Sequence, residues 1–128
     1  MPTTSRRWNH NIHYHGVILR EISKGARTAL DVGCGNGLLT RELQRVVPEV
    51  VGIDADERVL DQARRDCGDV DWVSGDFLTH DFGRRFDVVA SVAVLHHIPD
   101  LRAGLRRLAA LTAPGGVLAI VGLARATR

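Results

Sequence analysis

The chain has little of several things that would widen what it could be. Only two of its 128 residues are cysteines, Cys34 and Cys67. That is too few for a disulfide framework. Lysine occurs once, at Lys24, so nearly all of the 17 basic residues are arginines. They stand as scattered pairs (Arg6-Arg7, Arg64-Arg65, Arg84-Arg85, Arg106-Arg107) among 15 acids, for a formal net charge of only +2. Aromatics make up 5% of the chain. A nucleic-acid surface would need clustered cations interleaved with aromatics, so no such partner is expected. No apolar stretch approaches the roughly 18 residues of a membrane span. The polar, histidine-rich N-terminus does not look like a signal peptide. The expected compartment is the cytoplasm, with no membrane partner.

What is there suits one soluble domain. Hydrophobic residues make up 45% and charged residues 25%, enough for a core and ordinary for a globular chain. Strand-like and helix-like segments alternate, which predicts a parallel sheet with helices on both faces. Residues 1–11 read as a polar arm. Tyr14–Ser23 reads as a leading helix with Val17, Ile18 and Ile22 apolar. Strands are expected at Thr28–Val32, Val50–Ile53, Val70–Val73, Phe86–Val92 and Val117–Leu123. Helices are expected over Leu38–Val47, with Leu39, Leu43 and Val46 on one face, and from the N-cap Asp56 to about Cys67, with Gly68 at its C′ position. A last helix runs from Pro99 to about Leu111, with Leu101, Leu105 and Leu108 inward. Phe77–Arg85 reads as a loop and Pro114-Gly115-Gly116 as a tight turn. Residues 1–24 thus form an arm and leading helix, and 27–123 a Rossmann-like core.

The most telling stretch is Ala29–Gly37, Ala-Leu-Asp-Val-Gly-Cys-Gly-Asn-Gly. An apolar run ends in Asp31, glycines alternate at 33, 35 and 37, a helix follows, and a second apolar run ends in Asp54. A βαβ unit of this kind binds a nucleoside-bearing cofactor at the C-terminal ends of its strands. Glycines permit the tight turn and let a ligand lie against bare backbone. The acid ending the second strand is placed to accept from two ribose hydroxyls. A dinucleotide fold wants Gly-x-Gly-x-x-Gly, and Leu38 stands where its third glycine would fall. A carboxylate at Asp31 would repel a pyrophosphate and attract an ammonium or sulfonium.

The segment Asp31-Val32-Gly33-Cys34-Gly35-Asn36-Gly37 resembles the first motif of class I S-adenosylmethionine-dependent methyltransferases. Phe86–Asp100 closely resembles the fourth-strand motif of the small-molecule members. The resemblance runs from about Trp8 to Gly122. It implies a three-layer αβα sandwich with strand order 3-2-1-4-5 and transfer of a methyl group from S-adenosylmethionine to a small-molecule acceptor, leaving S-adenosylhomocysteine. It implies cofactor contacts from Asp31 (near the methionyl ammonium), Gly33, Cys34, Gly35, Asp54 (ribose), Ala55, Asp76 (adenine amine), Phe77 and Ser91, with Tyr14 in a lid. His96, just beyond the fourth strand, is the candidate catalytic base, with His97 behind it. Asp87 reads as structural. His10, His13 and His15 have a spacing that could suit a metal, but no acid or cysteine lies nearby to complete a set, and no metal is expected. The family's sheet normally ends in an antiparallel hairpin of two more strands. This sequence stops at Arg128, so a truncated or minimal member is expected, with its fifth-strand edge open to a second copy. The alternative kept open is a non-catalytic cofactor-binding module or fragment that needs further strands or a partner.

Overall fold

A computed structural model describes residues 14–92 and 98–121. A helix covers 14–21 (α1). It is followed by β1 (Thr28–Val32), α2 (Leu38–Val46), β2 (Glu49–Asp54), α3 (Glu57–Asp66), β3 (Asp71–Ser74), β4 (Phe86–Val92), α4 (Leu101–Leu111) and β5 (Thr112–Val121). The five strands form one sheet in the order β3-β2-β1-β4-β5, and all four pairings are parallel. The register sets Val32 beside Ile53 and Ser91, and Ile53 beside Val73. The loops after β1, β2, β3 and β4 therefore leave from one edge.

Strand alternation divides the core. Ala29, Val50, Val88 and Ala90 face one side and pack with Ile18 of α1 and Leu39 and Leu43 of α2. Leu30, Val32, Val51, Ile53 and Val89 face the other and pack with Leu108 and Leu111 of α4 and with Phe77. Phe86, Leu30, Leu43, Ile53, Leu60 and Leu108 are all under 2% exposed. Burial of side chains of this size is worth about 1.5–3 kcal/mol each. Among the described residues β5 lies at the sheet's edge, with Ile120 exposed.

The helices turn differently from expectation in two places. In α2, Leu39, Thr40 and Leu43 are buried while Val46 is 53% exposed; Val47, just past the helix, is buried instead. In α4 the buried stripe is Gly104, Leu108 and Leu111, an i, i+4, i+7 series. Leu101 and Leu105 lie outside it and are exposed. The stripe passes through a glycine, so a reading guided by leucines picks the wrong face. Asp56 caps α3 as expected, accepting from Arg58 N at 3.0 Å. Gly68 does not close that helix in a left-handed turn. Cys67 ends it in extended backbone, and Gly68 is not among the residues with positive φ.

Pro114-Gly115-Gly116 does not turn the chain before β5; it lies inside the strand. Thr112 pairs with Phe86 and Val117 with Val88, so five steps on β5 match two on β4 and three residues bulge. Gly115 has φ +77 there, and a Cβ on Gly116 would stand 2.7 Å from the Asp87 carbonyl oxygen. The start of β4 is tied down at the same edge. Asp87 Oδ2 accepts from Arg27 N at 2.8 Å and Thr28 N at 3.2 Å, and Asp87 N donates to Thr28 Oγ1.

Candidate functional site

The glycine loop after β1 folds onto the end of β2. Gly33 N and Cys34 N both donate to the Ile53 carbonyl, at 2.8 and 3.1 Å. Gly33, Gly35 and Gly37 have φ of 72, 56 and 88, the left-handed region that glycine enters without penalty. Asp54 is the clasp. Its Oδ2 accepts from Gly35 N at 2.9 Å and its Oδ1 from Asp56 N at 2.8 Å. Both oxygens are thereby held in place, each with acceptor capacity left over.

Gly37 serves packing. A Cβ there would stand 2.6 Å from the Trp72 ring and 3.4 Å from Ala63. A Cβ on Gly52 in β2 would meet the same ring at 3.0 Å and Cys34 Sγ at 3.1 Å. Trp72, its Nε1 donating to the Cys67 carbonyl at 2.7 Å, therefore lies across two glycines and next to a small thiol. Cys34 is buried, and desolvation pushes its thiol pKa far up, with the carboxylates of Asp31 and Asp54 adding to the effect. It is an inert packing group in this environment.

The loop after β3 faces Asp54. Gly75 N donates to the Asp54 carbonyl at 3.0 Å. Asp76 Oδ1 accepts from Leu78 N at 2.9 Å, and the Asp76 carbonyl accepts from Thr79 N and His80 N. This is an Asx-type turn. Phe77 is buried, its ring in the second core cluster. Between the loops lies a cavity of about 510 Å³ lined by Val32, Gly33, Ile53, Asp54, Ala55, Gly75, Asp76, Phe77, Leu78, Val92, Ile98 and Pro99. Its volume falls in the usual range for small-molecule sites.

Of the residues singled out from sequence, Gly33, Asp54, Ala55, Asp76 and Phe77 line this cavity; Asp31, Cys34, Gly35, Ser91 and Tyr14 do not. Asp31 is 2% exposed and points to the α2 side, where Thr40 Oγ1 donates to its Oδ2 at 2.7 Å. Desolvation raises its pKa to about 7. The Thr40 hydrogen bond works against that rise, and the charge of Asp54 adds to it. Ser91 is fully buried, and its hydroxyl has no hydrogen-bond partner among the described residues. Tyr14 opens the described part of α1. Beside it His15 is buried over a smaller cleft of about 260 Å³ that it shares with Gly16, Leu19, Leu38 and Glu42. Desolvation lowers the His15 pKa against the pull of Glu42. His96, His97, His10 and His13 lie outside the described residues, as do Gly122 and Leu123.

Sequence reasoning missed Thr40, Trp72 and the apolar wall of Leu78, Ile98 and Pro99. A polar residue on the buried stripe of α2 was the available signal for Thr40. A glycine inside an otherwise β-branched strand, Val-Val-Gly-Ile, was the signal that something bulky crosses Gly52.

A family model described as a methyltransferase domain matches residues 30–120. An uncharacterized methyltransferase of Mycobacterium tuberculosis is 42% identical over 117 residues, covering 89% of this chain and 59% of the relative. A ubiquinone biosynthesis O-methyltransferase of Coxiella burnetii is 33% identical over 112 residues, covering 79% of this chain and 45% of the relative. The solved structure of SAM-bound CalS10, an amino pentose methyltransferase from Micromonospora echinaspora, matches with TM-score 0.78 at 28% identity, covering 90% of this chain and 50% of that one. The chain thus spans about half the length of the relatives it matches. The glycine loop clasped by Asp54, the sheet order and the match over residues 30–120 together place the chain in the class I S-adenosylmethionine-dependent methyltransferase family.

Proposed function

We propose that this chain binds S-adenosylmethionine in the 510 Å³ cavity and serves transfer of its methyl group to a small-molecule acceptor. The observation that carries the reading is Asp54. Its carboxylate is fixed by two backbone amides on the cavity wall, so it meets a ribose diol without first having to be ordered. The donor set suits the cofactor. Asp54 takes the two ribose hydroxyls, and Ala55 and Gly33 give backbone for close approach. Asp76 has Oδ1 engaged by Leu78 N, so Oδ2 is the oxygen for an adenine amine, with Phe77 and Leu78 against the base. Asp31 is buried against Thr40 beneath the glycine loop with its pKa raised to about 7; a methionyl ammonium on that loop, beside Cys34 and Gly35, would favour its ionised form and be attracted by it. Tyr14 and Ser91 lie off this cavity; Tyr14, at the start of α1, would act as a lid, and Ser91, beside Val32 in the sheet, would pass near the cofactor.

When bound, the sulfonium supplies an activated methyl. The protein's part is to hold an acceptor in line with it, and proximity of this kind contributes much of the acceleration. His96 is placed by sequence to take the acceptor's proton. The amino pentose and ubiquinone-pathway relatives favour a small organic acceptor. We further propose that the exposed edge of β5 pairs with another strand, a second copy of this chain included. Sedimentation showing a monomer with fast amide exchange along β5 would refute that pairing.

A calorimetric titration with S-adenosylmethionine, S-adenosylhomocysteine and NAD tests the cofactor reading. Saturable binding of the first two and none of NAD is expected. Preference for NAD would overturn the assignment.

A further inference from the structure

Arg106-Arg107 reads in the sequence as one more solvated pair, yet the two residues differ. Arg106 is exposed and Arg107, on α4, is half-buried. Arg107 Nε donates to the Phe77 carbonyl at 2.9 Å, and its Nη2 donates to the His80 carbonyl. The guanidinium carbon lies 5.9 Å from the centre of the Phe82 ring. Among the described residues Arg107 is in none of the ion pairs. A guanidinium makes its strongest pairs with carboxylates. Here a half-buried one is directed at two neutral backbone carbonyls of the turn that carries Asp76 and Phe77.

That turn is closed internally by the bonds from Leu78, Thr79 and His80 to Asp76. Those bonds set its shape and leave its position to other contacts. At the front, Gly75 N holds it to Asp54. At the back, Arg107 holds it to α4, and α4 packs Leu108 and Leu111 into the core beneath. The planar fork of the guanidinium reaches two carbonyls at once, which the single ammonium of a lysine does not reproduce.

We infer that Arg107 is a positioning residue for recognition of the cofactor's base. It fixes the turn at the depth from which Asp76 and Phe77 distinguish a purine bearing a 6-amino group from one that lacks it. The inference rests on the reading that the cavity holds S-adenosylmethionine with its base at Asp76.

The test compares S-adenosylhomocysteine with S-inosylhomocysteine, which carries a carbonyl in place of the 6-amino group. Dissociation constants are measured for the parent chain and for Arg107→Lys and Arg107→Gln, with amide exchange of Leu78, Thr79 and His80 in the ligand-free proteins. The parent is expected to prefer the adenine ligand at least about tenfold, the size of one good polar contact to a base. Both variants should drop to under about threefold, chiefly through weaker binding of the adenine ligand, and their three amides should exchange at least about tenfold faster. A purely structural loss would weaken both ligands alike and leave the ratio standing. Should Arg107→Lys not fold, Arg107→Gln is read by the same two measures. A parent that binds both ligands equally refutes base recognition by Asp76 and this inference with it. A parent that discriminates, beside variants that discriminate equally well, refutes the role of Arg107 alone.

Discussion

Asp54 and Asp87 stand at opposite edges of the sheet and hold backbone in much the same way. Asp54 ends β2 and accepts from Gly35 N and Asp56 N; Asp87 is the second residue of β4 and accepts from Arg27 N and Thr28 N. Each carboxylate stitches a neighbouring segment to its own strand. What separates them is the edge. Loops that leave the C-terminal ends of parallel strands splay around a crevice, and Asp54 lines a cavity of about 510 Å³. At the other edge Asp87 borders a cleft of about 90 Å³, and Gly116 lies against its backbone carbonyl with no room for a Cβ. Hydrogen bonds alone do not tell a binding acid from a structural one; the space left beside it does.

The largest expected effect separates the pair. Asp54→Ala should weaken S-adenosylhomocysteine binding by about 2–4 kcal/mol if two charge-assisted bonds are lost. It should also lower the melting temperature, because Gly35 N and Asp56 N lose their acceptor. Calorimetry and a thermal melt check both. Unchanged affinity would remove Asp54 from the ribose site. Next comes the glycine loop. Gly37→Ala places a methyl group 2.6 Å from Trp72 at φ +88, and it should cost stability by about 2 kcal/mol or more from overpacking and backbone strain combined. A denaturant midpoint equal to the parent's would show that Trp72 yields easily.

Asp87→Ala is the counterpart to Asp54→Ala. Stability should fall by about 1–3 kcal/mol as two strand-end amides lose their partner, while cofactor affinity of the folded fraction stays at the parent's value. Loss of affinity there would break the distinction between the two edges.

The buried pair beneath the loop supplies a pH test. Asp31 has its pKa raised from 3.8 to about 7 by desolvation. A folded-state pKa above the unfolded one means that the native state holds the proton more tightly. The stability this contributes is fully present below the unfolded value and is lost as pH rises through about 7. Thermal melts of the parent should therefore decline between the unfolded value of 3.8 and about 7 and level off above it, and Asp31→Asn should flatten that slope. An equal slope in both would show that other groups set it. The smallest effect is at Ser91. Its buried hydroxyl lacks a partner among the described residues, so Ser91→Ala should stabilise the ligand-free chain by up to about 1 kcal/mol. Destabilisation in a melt would show that the hydroxyl is satisfied in solution.

Most of the fold was legible because the strands announce themselves. Thr28–Val32 and Phe86–Val92 are mostly apolar on both faces, as suits strands buried between helix layers, and their ends match the structure. The acids at strand ends and the cap at Asp56 were equally plain. The rest depended on partners that local pattern does not encode. Pro114-Gly115-Gly116 has turn chemistry, and only pairing with β4 shows it as a bulge within β5. The buried stripe of α4 runs through Gly104, and Leu101 and Leu105 are exposed. Thr40 and Arg107 reach residues 9 and 30 positions away, and no short-range pattern marks such pairs. For Asp54 the sequence foretold the position. That it also clasps the loop through Gly35 appears only when the two loops are seen together.

One calorimetric titration bears most directly on the central claim that the edge with the 510 Å³ cavity is a cofactor site and the edge with the 90 Å³ cleft is not. S-adenosylhomocysteine is titrated into the parent, Asp54→Ala and Asp87→Ala under the same conditions. The account predicts one saturable site in the parent, the same affinity in Asp87→Ala, and at least about thirtyfold weaker binding in Asp54→Ala, which corresponds to about 2 kcal/mol. Equal binding in all three, or no binding in the parent, would contradict it.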